Sequence, residues 1–313
     1  MVQTTEALNQ QVSSQRTLGA ALERKAKPVA GFWTSAWRRF RRDRLAMVAL
    51  ALSVAIVLFA VFAPLVSLLT GFTYQENHLA QKLTPVNTDG YVLGADGNGR
   101  DVLTRLAYGG RISLLFATLG AVSTLILGAI LGAISGYFGR WIDTVIMRTV
   151  DVILSLPTLV VLILIGSFYD TTVWTLAIFV ALVSWTGVAR LVRGQVLTLR
   201  SRDFVEAARV IGANDRQIIG RHILPNVVPI VVVWLSLSVP GLILLETSLS
   251  YLGVGIRVPT PSWGNMLQEA QATFRQSWTL VFIPGFMVFL TALCLSLVGN
   301  GVRDAVDPRL TNE

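Results

Sequence analysis

Long apolar stretches alternate with short polar ones along the chain. Scanned with a window of about 20 residues, the length that crosses roughly 30 Å of hydrocarbon at 1.5 Å per residue, they predict six spans. These fall at 45–69, 112–136, 144–166, 172–189, 226–249 and 279–299. The first has no charge between Arg44 and Glu76, follows 44 polar and basic residues, and exceeds the core of a signal peptide, so it reads as a retained helix. The pattern predicts an all-α integral membrane protein with six transmembrane helices.

Within the spans, finer patterns predict contacts. Gly128, Gly132 and Gly136 recur every four residues, with Gly120 two turns earlier. That stripe removes side chains from one face and lets another helix approach closely. Charges inside spans are few and each needs a reason, because one at mid-bilayer costs about 3 kcal/mol. Arg148 and Asp151 lie one turn apart near one end of the third span and are expected to pair there. Glu246, beyond the kink expected at Pro240 and Gly241, reads either as a translocation-path carboxylate or as an interfacial one.

Composition agrees with lipid as a second solvent. Hydrophobic residues make up 53% of the chain and charged ones 14%, against about 25% charged for soluble domains. The net charge of +8 is unevenly spread: of 26 Lys and Arg, nine precede residue 45 and seven lie from Arg190 to Arg221. An even number of spans puts both ends on one side of the membrane. A cytoplasmic N-terminus leaves 20 basic residues inside and six outside, namely Lys82, Arg100, Arg105, Arg111, Arg257 and Arg275, so both termini are expected in the cytoplasm.

The polar ends and loops divide by composition. Residues 1–30, rich in Gln, Ser, Thr and Ala, are expected to be a mobile tail. Trp33, Trp37 and Phe40 then recur at helical spacing among Arg38, Arg39, Arg41, Arg42 and Arg44. A helix so built lies among lipid headgroups; direct continuity with an apolar span argues against nucleic acid. Two outer segments, Leu93 to Asp101 and Gly253 to Trp278, are rich in turn residues and form platforms that either dock a partner or plug the bundle. The organisation expected is a tail at 1–30, an anchor with the first span and outer loop at 31–111, a five-helix core at 112–302, and a cytoplasmic tail at 303–313.

Several chemistries are excluded by count. One cysteine, Cys294, forms no intramolecular disulfide or thiolate cluster, and His78 and His222 stand in no HExxH spacing, so no metal site is expected. The three lysines, Lys25, Lys27 and Lys82, sit in no GxxxxGK[ST] loop. The chain is therefore not expected to be an enzyme, and any ATP-driven work would draw on another subunit.

The richest polar segment, about 190–225, lies between the fourth and fifth spans. It reads as helix, tight turn, helix, with Gly212 as the left-handed stop of the first and Asn214 with Gln217 as a capping box opening the second. Glu206-Ala207-Ala208, Gly212, Leu224 and Pro225 fall in the register of EAA, three residues, Gly, nine residues, Ile, any residue, Leu-Pro. This resembles the EAA loop of ABC importer permeases. His222 replaces the Ile of the general pattern, as is frequent in peptide importers. Leu93-Gly94-Ala95-Asp96 with Gly99-Arg100-Asp101-Val102-Leu103-Thr104-Arg105, Leu249-Ser250-Tyr251-Leu252-Gly253, Pro259 to Gly264, and Gly301 to Leu310 resemble the C-type subunit of dipeptide and oligopeptide permeases; Ala95 and Thr104 depart mildly.

The resemblance implies the type I ABC importer transmembrane fold in a bacterial or archaeal cytoplasmic membrane. It also implies a homologous B-type permease, two cytoplasmic ATPases that bind ATP and Mg, and an extracytoplasmic substrate-binding protein. Glu206, Ala207, Ala208, Gly212 and the rim charge Arg209 would touch an ATPase, and Leu224 and Pro225 would transmit its motion. Related importers move dipeptides, oligopeptides, glutathione, nickel complexes or oligosaccharides. The competing readings are an ion-coupled secondary transporter, which expects more midplane charges and repeated halves, and a membrane scaffold, which needs no EAA loop.

Overall fold

The computed structural model describes residues 32–307. The expected tail at 1–30 and the end of the chain from Pro308 lie outside them. All regular structure among the described residues is helical, apart from two isolated bridges, Thr88 with Tyr91 and Ala95 with Asp101.

Helix α1 (Phe32–Phe40) leads into α2 (Arg44–Val61), whose first turn is capped by the Asp43 carboxylate, accepting from the Leu45 and Ala46 N–H groups at 2.9 and 3.1 Å. The first predicted span is not one helix. It breaks at Phe62 and resumes as α3 (Ala63–Thr70), with Pro64 in its first turn, where a missing N–H costs nothing. Helix α4 (Val102–Phe138) starts ten residues before the predicted span, because Asp101 caps it by accepting the Thr104 N–H at 2.7 Å. Its 37 residues extend about 55 Å.

The third predicted span is corrected by the structure. It folds as two helices, α5 (Arg140–Leu154) and α6 (Thr158–Phe168), bent by 82° across Ser155, Leu156 and Pro157. Pro157 has no N–H to continue the ladder and disfavours helical geometry in the residue before it. Helix α7 (Val173–Arg200) opens on a reciprocal cap between Thr172 and Thr175 and outruns the predicted span by 11 residues. A short helix α8 (Asp203–Val210), a helical turn at Asp215–Gln217 and a π-helical segment at Ile218–Ile223 precede α9 (Leu224–Tyr251). Helices α10 (Trp263–Ala270) and α11 (Thr279–Val306) complete the chain. Five helices are long and apolar enough to cross a membrane, and the bent α5/α6 pair makes a sixth if it counts as one span.

Helices α4 and α7 make the most extensive pair in the bundle. A Cβ on Gly128, Gly132 or Gly136 would lie 2.7, 2.5 or 2.9 Å from the backbone oxygens of Trp185, Ala189 and Arg193, so the glycine stripe is where the two backbones meet. Gly120 does not belong to that contact; its Cβ would have room, 3.7 Å from the Leu242 side chain of α9. The main core gathers Phe116, Leu176, Ile243, Leu249 and Trp263, all fully buried.

The described start and finish of the chain meet. Phe40 and Ala46 pack with Ala305, Gly301 sits against both, and Arg39 donates to the Asp307 carbonyl at 3.2 Å. The aromatic stripe of α1 is split by this packing: Phe40 is buried, while Trp33 and Trp37 remain half exposed beside Arg41, which stacks over Trp37.

The expected pair of Arg148 with Asp151 is not formed. Arg190 of α7 donates to Asp151 at 2.6 Å, and Arg193, one turn on, grips Asp143 with two bonds of 2.5 and 2.6 Å. Helix α7 runs beside α5, so its arginines reach acids across the helix gap and outcompete a neighbour on the same surface.

Candidate functional site

The 200–225 segment is built in two layers. On α8, Val205 and Ala208, three residues apart, turn inward and join Val192, Val196, Ile218 and Ile223 in a buried cluster. The opposite face presents Phe204, Glu206, Ala207 and Arg209 to solvent. Of the predicted contact residues, Ala208 is therefore internal. Two residues that the spacing pattern did not single out, Val210 and Ile211, are 87% and 84% exposed. Large aliphatic side chains that bare at a helix end are costly in water, and they extend the outward face into an apolar patch.

Gly212 ends α8 with a φ of 87°. Its N–H donates to the Arg209 carbonyl and the Ala213 N–H to the Ala208 carbonyl, both at 3.0 Å, the two bonds of a Schellman turn. No atom would meet a Cβ at Gly212, so the glycine serves backbone geometry and an open surface and not close packing. Asn214 then caps the next turn: its side chain accepts the Gln217 N–H at 2.9 Å, and Gln217 accepts the Asn214 N–H at 3.1 Å. Leu224 and Pro225 face outward where α9 begins, while Ile223 and Val227 carry its buried contact.

Tyr137, in the last turn of α4, meets this segment. Its hydroxyl donates to the Asp215 carboxylate at 2.5 Å, and the guanidinium groups of Arg200 and Arg209 lie 5.9 and 5.8 Å from its ring centre.

At the other end of the bundle the two turn-rich segments are joined. Asp96 accepts from the Asn98 and Arg100 N–H groups, from the Arg100 guanidinium at 2.8 Å, and from Arg105. Arg100 and Arg105 both also donate to Glu269 of α10 at 2.6 Å. Three of these four groups are nearly buried, and a cavity of about 240 Å³ lies beside them. Nearby, Tyr91 donates to Gln81 and to the Gly99 carbonyl; burial pushes its phenol pKa up, and Asp101, Asp89 and Asp96 add to the shift.

Glu246 is packed inside this chain's own bundle, on α9. It is fully buried and accepts from Ser113 at 2.9 Å and Ser250 at 2.7 Å. Ser113 in turn accepts the Trp263 N–H, and the Trp263 indole donates to the Leu106 carbonyl, so one polar network ties α4, α9 and α10. No trio of His, Cys, Asp or Glu among the described residues is arranged to hold a metal.

Comparison with known proteins agrees along the chain. Residues 125–312 match the family described as the inner membrane component of binding-protein-dependent transport systems, and residues 31–85 match the N-terminal transmembrane domain of oligopeptide transport permease C. The oligopeptide transport system permease protein OppC of Haemophilus influenzae is 41% identical over 88% of this chain and 88% of its own length. OppC of Escherichia coli K12 is 39% identical over 88% and 91%, and the dipeptide transport system permease protein DppC of Bacillus subtilis 35% identical over 91% and 88%.

Proposed function

The chain belongs to the inner membrane component family of binding-protein-dependent transport systems, in its oligopeptide and dipeptide permease C branch, and on that premise we propose that it is the permease subunit of an ATP-driven peptide importer. It would span the membrane six times, counting the bent α5/α6 pair once, with both ends in the cytoplasm. The contact of Phe40 and Ala46 with Ala305 supports an even number of crossings. Half of the translocation path would come from this chain and half from a B-type partner, with peptide delivered by an extracytoplasmic binding protein.

The observation that carries the coupling assignment is the two-faced 203–225 segment. Its outer face, Glu206, Ala207, Arg209, Val210 and Ile211, offers charge and apolar surface to one of two ATPase partners, which would hold the ATP and Mg. Its inner face, Val205, Ala208 and Ile218, is locked to α7 and α9. When ATP binding closes the ATPases, the seated segment moves with them, and the bundle switches because the partner binds one of its two states better. Leu224 and Pro225, at the junction with α9, would pass on the motion. The anchor at 31–111 and the core at 112–302 divide the work between holding and switching. Glutathione, nickel complexes and oligosaccharides remain the other cargoes of related importers, and the names of the relatives favour peptides.

Gly212→Leu tests the assignment. The left-handed backbone there costs a side-chain-bearing residue about 1–2 kcal/mol, while the open space around it leaves folding possible. Membrane insertion is expected to persist and labelled-peptide uptake to be lost. Normal uptake at normal protein level would remove the coupling role.

A further inference from the structure

The 203–223 segment is joined to the bundle covalently at two places, through Ser201 to α7 and through the π-helical segment to α9. The structure shows a third attachment, to a helix that is remote in sequence. Tyr137 lies only one residue from the end of α4, is 4% exposed, and sends its hydroxyl out to the exposed Asp215 at 2.5 Å. A hydroxyl-to-carboxylate bond of that length is charge-assisted and directional. The guanidinium groups of Arg200, which ends α7, and Arg209, which sits on α8, also lie against the ring. One aromatic side chain thus gathers the end of α7, the outer helix α8 and the turn that follows Gly212.

What lies at the other end of α4 gives this contact a use. The same helix carries Ser113, bonded to Glu246 of α9, and Arg105, bonded to Asp96 and to Glu269 of α10. A displacement of the 203–223 segment applied to Tyr137 therefore acts on a rigid rod of 37 residues whose far end holds the opposite face of the bundle together. Without the Tyr137 bond, the segment would pull on α7 and α9 and reach α4 only through side-chain packing.

We propose that Tyr137 is a positioning residue for transport: its bond to Asp215 makes α4 follow the coupling segment. The proposal rests on the coupling reading above. The test uses the assembled transporter in proteoliposomes, with a labelled pool of tri- to pentapeptides, and reads peptide imported per ATP hydrolysed. Tyr137→Phe keeps the ring and its cation contacts and removes only the hydroxyl. Asp215→Ala removes the acceptor, and Asp215→Asn retains one.

Tyr137→Phe and Asp215→Ala are each expected to lower the ratio about tenfold, the factor set by losing a charge-assisted hydrogen bond at the low end of its range. The double variant should fall no further, and Asp215→Asn, which keeps an uncharged acceptor, should fall less than Asp215→Ala. A wild-type ratio for Tyr137→Phe, additive losses in the double variant, or a decline matched by loss of assembled complex would each overturn the proposal. Gly212→Leu separates the two claims: if it uncouples transport while Tyr137→Phe does not, the latch fails and the coupling segment stands. If neither uncouples, both fall.

Discussion

Glycines of the same spacing do different work in α4. Gly132 faces the Ala189 carbonyl so closely that a methyl group there would stand 2.5 Å from it, whereas the methyl of an alanine at Gly120 would find 3.7 Å of clearance. Gly132→Ala is expected to destabilise the α4/α7 contact by about 1–3 kcal/mol, as overpacking does. Gly120→Ala should be neutral or slightly stabilising. Thermal unfolding in detergent of the two variants, side by side, checks the difference; equal melting shifts would mean that the stripe is not the contact. The four-residue period told that some helix comes close, and the choice of α7 as the neighbour depends on residues 50 to 60 positions away.

Two helix ends, the Gly212 stop and the Asn214 cap, were legible in the sequence, whereas α4 begins ten residues before its predicted span and α7 ends 11 residues beyond its own. The Asp43, Thr172 and Asn214 caps and the Gly212 stop are local, since each joins groups within five residues of one another. Hydropathy, in contrast, averages over a window and is blind to a single missing N–H, which is why it reads 144–166 as one span. Pro157→Ala restores the donor and the freedom of Leu156 to be helical. The α5/α6 bend should relax, lengthening the distance between spin labels at Val145 and Leu164, two exposed positions on either side of it. An unchanged distance would show that packing of α6 against α7, and not Pro157, holds the 82° angle.

For the molecule as a whole, orientation is the quantity that charge predicts. The only cysteine, Cys294, is buried, so single introduced cysteines report cleanly. On intact cells, a membrane-impermeant maleimide should label Gln75→Cys, and should label Ser201→Cys only after permeabilisation; both side chains are exposed. The reverse pattern would invert the topology. Two of the six basic residues counted as outside, Arg100 and Arg105, are neutralised by Asp96 and Glu269 in a nearly buried cluster. Their removal from the tally widens the inside excess and leaves its direction unchanged.

Reading along the chain suffices for the membrane class, the approximate spans, the direction of the charge bias and the register of the 206–225 segment. Each of these depends on residues close together, because an apolar run carries its own need for lipid and a capped turn its own hydrogen bonds. Folding settled the pairings instead. Asp151 belongs to Arg190, Glu246 to Ser113, and Asp215 to Tyr137, across 39, 133 and 78 residues. Nothing in a local pattern distinguishes these partners from the nearer ones. They are selected by which helix faces lie together, and so the inward side of the candidate coupling segment became visible only once α4, α7 and α9 were packed.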